Sequence, residues 1–113
     1  MAPDGVYVTI WEFMAKPEFR AEFENFYGLD GEWVQLFRRS KAFLRTEFFR
    51  DCQAENRYVT IDYFSSQAGF DDFMRELRQE YEALDRRSDG LTAFQKEIGA
   101  FTALDGAGFR AGA

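Results

Sequence analysis

The apolar positions change period several times along the chain. Residues 6–14 are dense in β-branched and aromatic side chains, the pattern of a strand. From Pro17 onward Phe19, Phe23, Phe26 and Tyr27 recur at helical spacing, with Pro17 suited to a first helical turn and Glu18 and Glu22 near its positive end. The stretch Gly28-Leu29-Asp30-Gly31 interrupts that stripe. Asp30 is placed to cap a second short helix carrying Trp33, Leu36 and Phe37. Strand patterns follow at 43–50 and 57–64, with a turn at 52–56 between them. Ser65 or Ser66 can then cap one long helix, whose stripe is Phe70, Phe73, Met74, Leu77, Tyr81 and Leu84. After an irregular Ser88-Asp89-Gly90, a last strand is predicted over 97–104. The reading is one domain over 5–104 and a flexible tail over 105–113, rich in Gly and Ala, with Phe109 its apolar anchor.

The order β-α-β-β-α-β contains a repeat. Residues 7–13 read YVTIWEF and residues 58–64 read YVTIDYF, so that Trp11 matches Asp62 and Glu12 matches Tyr63. The same offset relates Phe19 to Phe70, Phe23 to Met74 and Phe26 to Leu77. Strand and helix therefore recur together as two interleaved units. The predicted fold class is α+β: a ferredoxin-like, four-stranded antiparallel sheet with helices on one face. Matched residues of the two repeated strands share a face. The expectation is that Val8, Ile10, Val59 and Ile61 pack the helices. Tyr7, Thr9, Trp11 and Phe13 would then lie with Tyr58, Thr60, Asp62 and Phe64 on a face with no cover. A sheet face this aromatic calls for a partner. A second copy packed sheet to sheet would make a dimeric α/β barrel, with a small cavity between the sheets.

Composition narrows the function. The net charge of −6 argues against a nucleic-acid partner, whose recognition rests on clustered Lys and Arg. No apolar run approaches the ~20 residues of a membrane helix, and no export signal is visible at MAPDG. The single Cys52 provides no disulfide framework, which fits the cytoplasm. The fourteen Phe within an aromatic content of 19% suit either a thick core or a slot for a flat ligand.

Several segments, in order, resemble the antibiotic biosynthesis monooxygenase family of dimeric α/β barrels. They are EFMAKPEFRAEFENFYG, GLDGEWVQLFRRS, FLRTEFFRD, RYVTIDYFSSQAGFDDF and IGAF, together spanning residues 6–103. The family covers cofactor-free oxygenases, haem-degrading enzymes and proteins with no known reaction. The resemblance implies a homodimer and, as leading chemistry, conversion of a phenol or anthrone to a quinone by O₂ without a cofactor. Such a site removes a proton and holds the resulting anion by hydrogen bonds. The chain has no His, the usual haem ligand and neutral-pH base, and its only Asn residues are Asn25 and Asn56, so haem chemistry is disfavoured. The expected cofactor and metal complement is none.

Asp62 is the candidate base, because a carboxylate on a mostly apolar face has either a raised pKa or a partner. The alternative is structural, with Asp62 tying strands together through Thr60, Thr46 or Arg45. Trp11 is the candidate donor to a substrate oxygen. Tyr7, Thr9, Phe13, Trp33, Tyr58, Thr60 and Phe64 are the candidate substrate-binding residues, and Glu12 and Glu47 are placed in solvent near strand ends. The leading reading is a cofactor-independent monooxygenase acting on a small phenolic compound. The alternatives are a non-catalytic ligand-binding or structural barrel, or a cyclase or isomerase using the same pocket.

Overall fold

The computed structural model describes residues 5–104. Four strands, β1 (Tyr7–Ala15), β2 (Phe43–Arg50), β3 (Arg57–Phe64) and β4 (Thr92–Thr102), form one antiparallel sheet in the order β2-β3-β1-β4. The two repeated strands are its central pair, Thr9 opposite Asp62 and Trp11 opposite Thr60. Helices α1 (Arg20–Tyr27), α2 (Glu32–Phe37), α3 (Gln67–Glu76) and α4 (Arg78–Ser88) cover one face. None is long and apolar enough to cross a membrane.

Three local features depart from the predicted elements. Strand β4 begins at Thr92, well before residue 97, because it pairs with β1 from Ala15↔Thr92 to Tyr7↔Thr102, with register shifts on the way. Pairing, not local pattern, extends it. The long second helix divides at Leu77, whose N–H still bonds the Phe73 carbonyl at 2.9 Å while its backbone leaves the helical range. Ser66 caps α3, its hydroxyl accepting the Gly69 N–H at 3.0 Å. At α2, by contrast, the N-cap is Gly31, not Asp30, and it makes no side-chain cap. A Cβ on Gly31 would stand 2.3 Å from the Phe26 carbonyl oxygen and 2.4 Å from that of Asn25, so only glycine lets α2 start this close to the end of α1. The tail and its Phe109 lie outside the described residues.

Matched residues of the two repeated strands do share a face, but the helices cover the opposite face from the one expected. Phe13, Tyr58 and Phe64 form the core with Phe23, Tyr27, Trp33 and Phe73, so the face bearing Asp62 is the one the helices cover. The aromatic stripes of the helices meet aromatic strand residues, ring on ring: Phe23 lies 4.7 Å from Tyr58, and Phe64 lies 5.0 Å from Phe70. The aliphatic residues Ile10, Val59 and Ile61 lie on the uncovered face, only partly buried. Phe49, Phe94 and Phe101 flank them, each about half exposed at 50%, 47% and 46%. Glu12 and Glu47 belong to this face and are not free in solvent. Arg57 Nε donates to Glu12 at 2.6 Å, and the Tyr63 hydroxyl donates to Glu47 at 2.8 Å.

Candidate functional site

A cavity of about 40 Å³ lies between the sheet and the helices of a single chain, not between two sheets as the sequence suggested. Its floor follows from the strand alternation. Trp11 and Phe13 of β1 lie stacked with ring centroids 6.3 Å apart, and Thr60 and Asp62 of β3 continue the same face. Thr46 of β2 sits directly beside Asp62, as the antiparallel register requires. The roof is Tyr27 at the end of α1 and, along the short α2, Trp33, Val34 and Phe37. Tyr81 and Asp85, one turn apart on α4, close the side with Gln95 of β4. Asp85 is exposed, and it marks the mouth.

Asp62 is the chemical centre. It is 5% exposed and held in a rung across three strands. Thr46 Oγ1 donates to one carboxylate oxygen at 2.6 Å, and Thr9 Oγ1 reaches the other at 3.5 Å. Both donors are uncharged, and among the described residues no Lys or Arg lines the cavity. Removal from water therefore outweighs the two hydrogen bonds, and the pKa rises from 3.8 to about 6. A carboxylate tuned this way is largely ionised at neutral pH yet readily protonated. Of the structural ties considered for Asp62, Thr46 is one, and Thr9 is a second that the sequence did not suggest. Arg45 is engaged on the opposite face, over the Tyr63 ring at 4.0 Å.

Around it stand neutral donors. Burial, then the Asp85 and Asp62 carboxylates, push the Tyr81 hydroxyl far above its ordinary pKa, so it keeps its proton. Burial likewise raises the Tyr27 hydroxyl, opposed by Ser88 and Trp33 beside it. The Trp33 ring is 7% exposed and meets Tyr81 edge-on at 4.9 Å. Its Nε1–H nonetheless finds no acceptor of proper hydrogen-bond geometry among the described residues. A buried indole N–H normally has a partner.

Asp62, Trp11, Phe13, Trp33 and Thr60 thus meet at one cavity. Four other sequence candidates do not line it. Tyr7 packs on Phe70 at 5.1 Å, Thr9 acts only through Asp62, and Phe64 is sealed in the core. The Tyr58 hydroxyl donates to Glu24 and accepts from Arg20 Nε. Sequence reasoning missed the site roles of Tyr27, Tyr81, Asp85 and Gln95. The Tyr81/Asp85 spacing was the available signal, since residues four apart share a helix face. Among the described residues, no three His, Cys, Asp or Glu side chains converge to hold a metal ion.

A scan against protein-family models finds no match, and neither does a search of the curated proteins. Solved structures do match. SnoaB, a cofactor-independent oxygenase from Streptomyces nogalater, superposes with a TM-score of 0.69 at 22% identity, over 89% of this chain and 94% of that one. A single-site variant of SnoaB gives 0.71 at 19%, over 88% and 94%. A Nitrosomonas europaea protein, itself only provisionally assigned as an antibiotic biosynthesis monooxygenase, gives 0.67 at 14%, over 93% and 96%. The fold is the antibiotic biosynthesis monooxygenase fold. At these identities the likeness is one of architecture, and the monooxygenase fold does not by itself assign the reaction.

Proposed function

We propose that this protein is a cofactor-independent monooxygenase of the antibiotic biosynthesis monooxygenase family. Its substrate is a small phenolic compound bound between the sheet and the helices, with Asp62 as the base; the free space of about 40 Å³ is less than a ring needs, so the wall yields around it on binding. The observation that carries the reading is a buried, cation-free carboxylate of pKa about 6 facing a ring-walled cavity. The phenolic proton passes to Asp62. The electron-rich phenolate reduces O₂, one oxygen atom bonds to the ring carbon, and the O–O bond breaks. The phenol leaves as a quinone and the second oxygen atom as water, so the four electrons come from the substrate alone. The Trp33 N–H, which no acceptor of proper geometry satisfies among the described residues, and the Tyr81 hydroxyl hold the developing oxyanion, and the stacked Trp11 and Phe13 rings form the wall. The donor role thus falls to Trp33 rather than to Trp11.

The test is oxygen uptake against a panel of phenols and anthrones, with ¹⁸O₂ labelling of the product. One labelled atom per quinone is expected. A proton-shifted product formed without oxygen uptake identifies a cyclase or isomerase instead. Trp33→Phe keeps the ring and deletes the donor, and it should lower kcat by about 10²-fold. Unchanged kcat in a folded Trp33→Phe variant removes Trp33 from the oxyanion site.

We further propose that the uncovered Ile10/Val59/Ile61 face pairs with a second copy. Half-exposed Phe49, Phe94 and Phe101 make it too apolar for water. Light scattering should report twice the chain mass of 13.2 kDa. Because the cavity belongs to one chain, a monomer would refute the dimer without removing the site.

A further inference from the structure

We propose that Asp85 sets substrate charge: the cavity selects phenols that carry a protonated amine and excludes phenols that carry a carboxylate. This rests on the phenol reading above and deepens it. Among the described residues the cavity wall holds two carboxylates, Asp62 at the floor and Asp85 at the mouth, and no Lys or Arg. Asp85 forms no ion pair among the described residues, so its charge is available to a ligand. The neighbouring cation Arg87 is engaged elsewhere, paired with Glu32 and set over the Phe26 ring. Arg86 is exposed on α4 and is not part of the wall.

A second, independent observation points to a ligand with two ends. Trp33 lines the cavity, and its buried N–H, beside the Tyr27 hydroxyl, has no acceptor of proper hydrogen-bond geometry among the described residues. It calls for a ligand oxygen deep in the slot, where Asp62 can accept that hydroxyl's proton. A compound anchored there by its phenol extends its other end past Tyr81 toward Asp85. Aromatic faces attract cations, so Tyr81 and Trp33 favour an ammonium group along that path. A carboxylate would meet two like charges and no donor cation, with both Asp groups acting at short range in a partly dry site.

Isothermal titration calorimetry under nitrogen separates binding from turnover. Three probes of similar length serve: tyramine (cationic), 4-propylphenol (neutral) and 3-(4-hydroxyphenyl)propionate (anionic). Tyramine should bind about tenfold tighter than 4-propylphenol, and the propionate at least tenfold weaker. Asp85→Asn should bring tyramine and 4-propylphenol within about twofold of each other, and Asp85→Lys should place the propionate first. Equal affinity of the three probes for the wild type overturns the proposal and leaves the phenol reading standing. So does an unchanged ranking in both folded variants. Binding of none of the three at millimolar concentration overturns both.

Discussion

Replacing Asp62 with Asn is expected to make the protein more stable and less active at once. Activity should fall by ~10²–10⁴-fold at pH 7, the range for loss of a positioned general base. The stability change has a definite sign. The folded pKa, about 6, lies above the ordinary 3.8, so between those values the folded chain binds more protons than the unfolded one. Stability from this group is therefore fully present below pH 3.8 and is lost as pH rises through 6, by about 3 kcal/mol in all. Asn carries no charge to desolvate, and its amide oxygen still accepts from Thr46. Urea unfolding should show wild type and variant nearly equal at pH 4, with the variant ahead by up to ~3 kcal/mol at pH 8. Wild-type kcat/KM should climb with an apparent pKa near 6, and the variant should lack that limb. Undiminished oxygen uptake by a folded Asp62→Asn protein would remove Asp62 as the base.

The second large effect lies in the core. Phe64 is fully buried, its ring 5.5 Å from Phe43, 5.0 Å from Phe70 and 5.8 Å from Phe73. Phe64→Ala should cost ~3–5 kcal/mol, a large share of the ~5–15 kcal/mol that holds a domain folded. At roughly 4–8 °C per kcal/mol, a melting curve shows this directly. Phe64→Leu keeps most of the volume and should cost ~1–1.5 kcal/mol. Its KM should match the wild type, because Phe64 does not line the cavity. A changed KM in Phe64→Leu, with little loss of stability, would return Phe64 to the ligand site.

The repeat made the topology legible. Two copies of YVTI a fixed distance apart, each followed by a helical stripe, demand two interleaved units, and β2 and β3 were bounded correctly because their patterns are strong. What the sequence could not decide was which face of the repeated strands meets the helices. Val and Ile are usual core residues, and a Thr-Asp-Trp face reads as exterior. The deciding term was long-range: helices whose stripes are Phe23, Tyr27, Phe70 and Phe73 fill space best against other rings. The flatter aliphatic face is left uncovered by the helices. The site followed the same division. Asp62 stood out locally as a charge in an apolar run, and its neighbour Thr46 followed from strand pairing. Tyr27, Tyr81 and Gln95 are unremarkable in their own elements and came to line the cavity only when α1, α4 and β4 converged on it. Tyr58 and Phe64, on the same face but at the two ends of β3, show that a shared face does not imply a shared cavity.

The close start of α2 against α1 bears on how this slot could change over generations. The height of the cavity's roof is fixed by bare main chain at Gly31, where carbonyl oxygens of Asn25 and Phe26 leave no room for a methyl group. A single added carbon there acts like a shim under a hinge, lifting α2 and tilting Trp33 without replacing any side chain that lines the cavity. A slot of different height could arise through such remote adjustment while Asp62, Thr46 and the ring wall stay as they are.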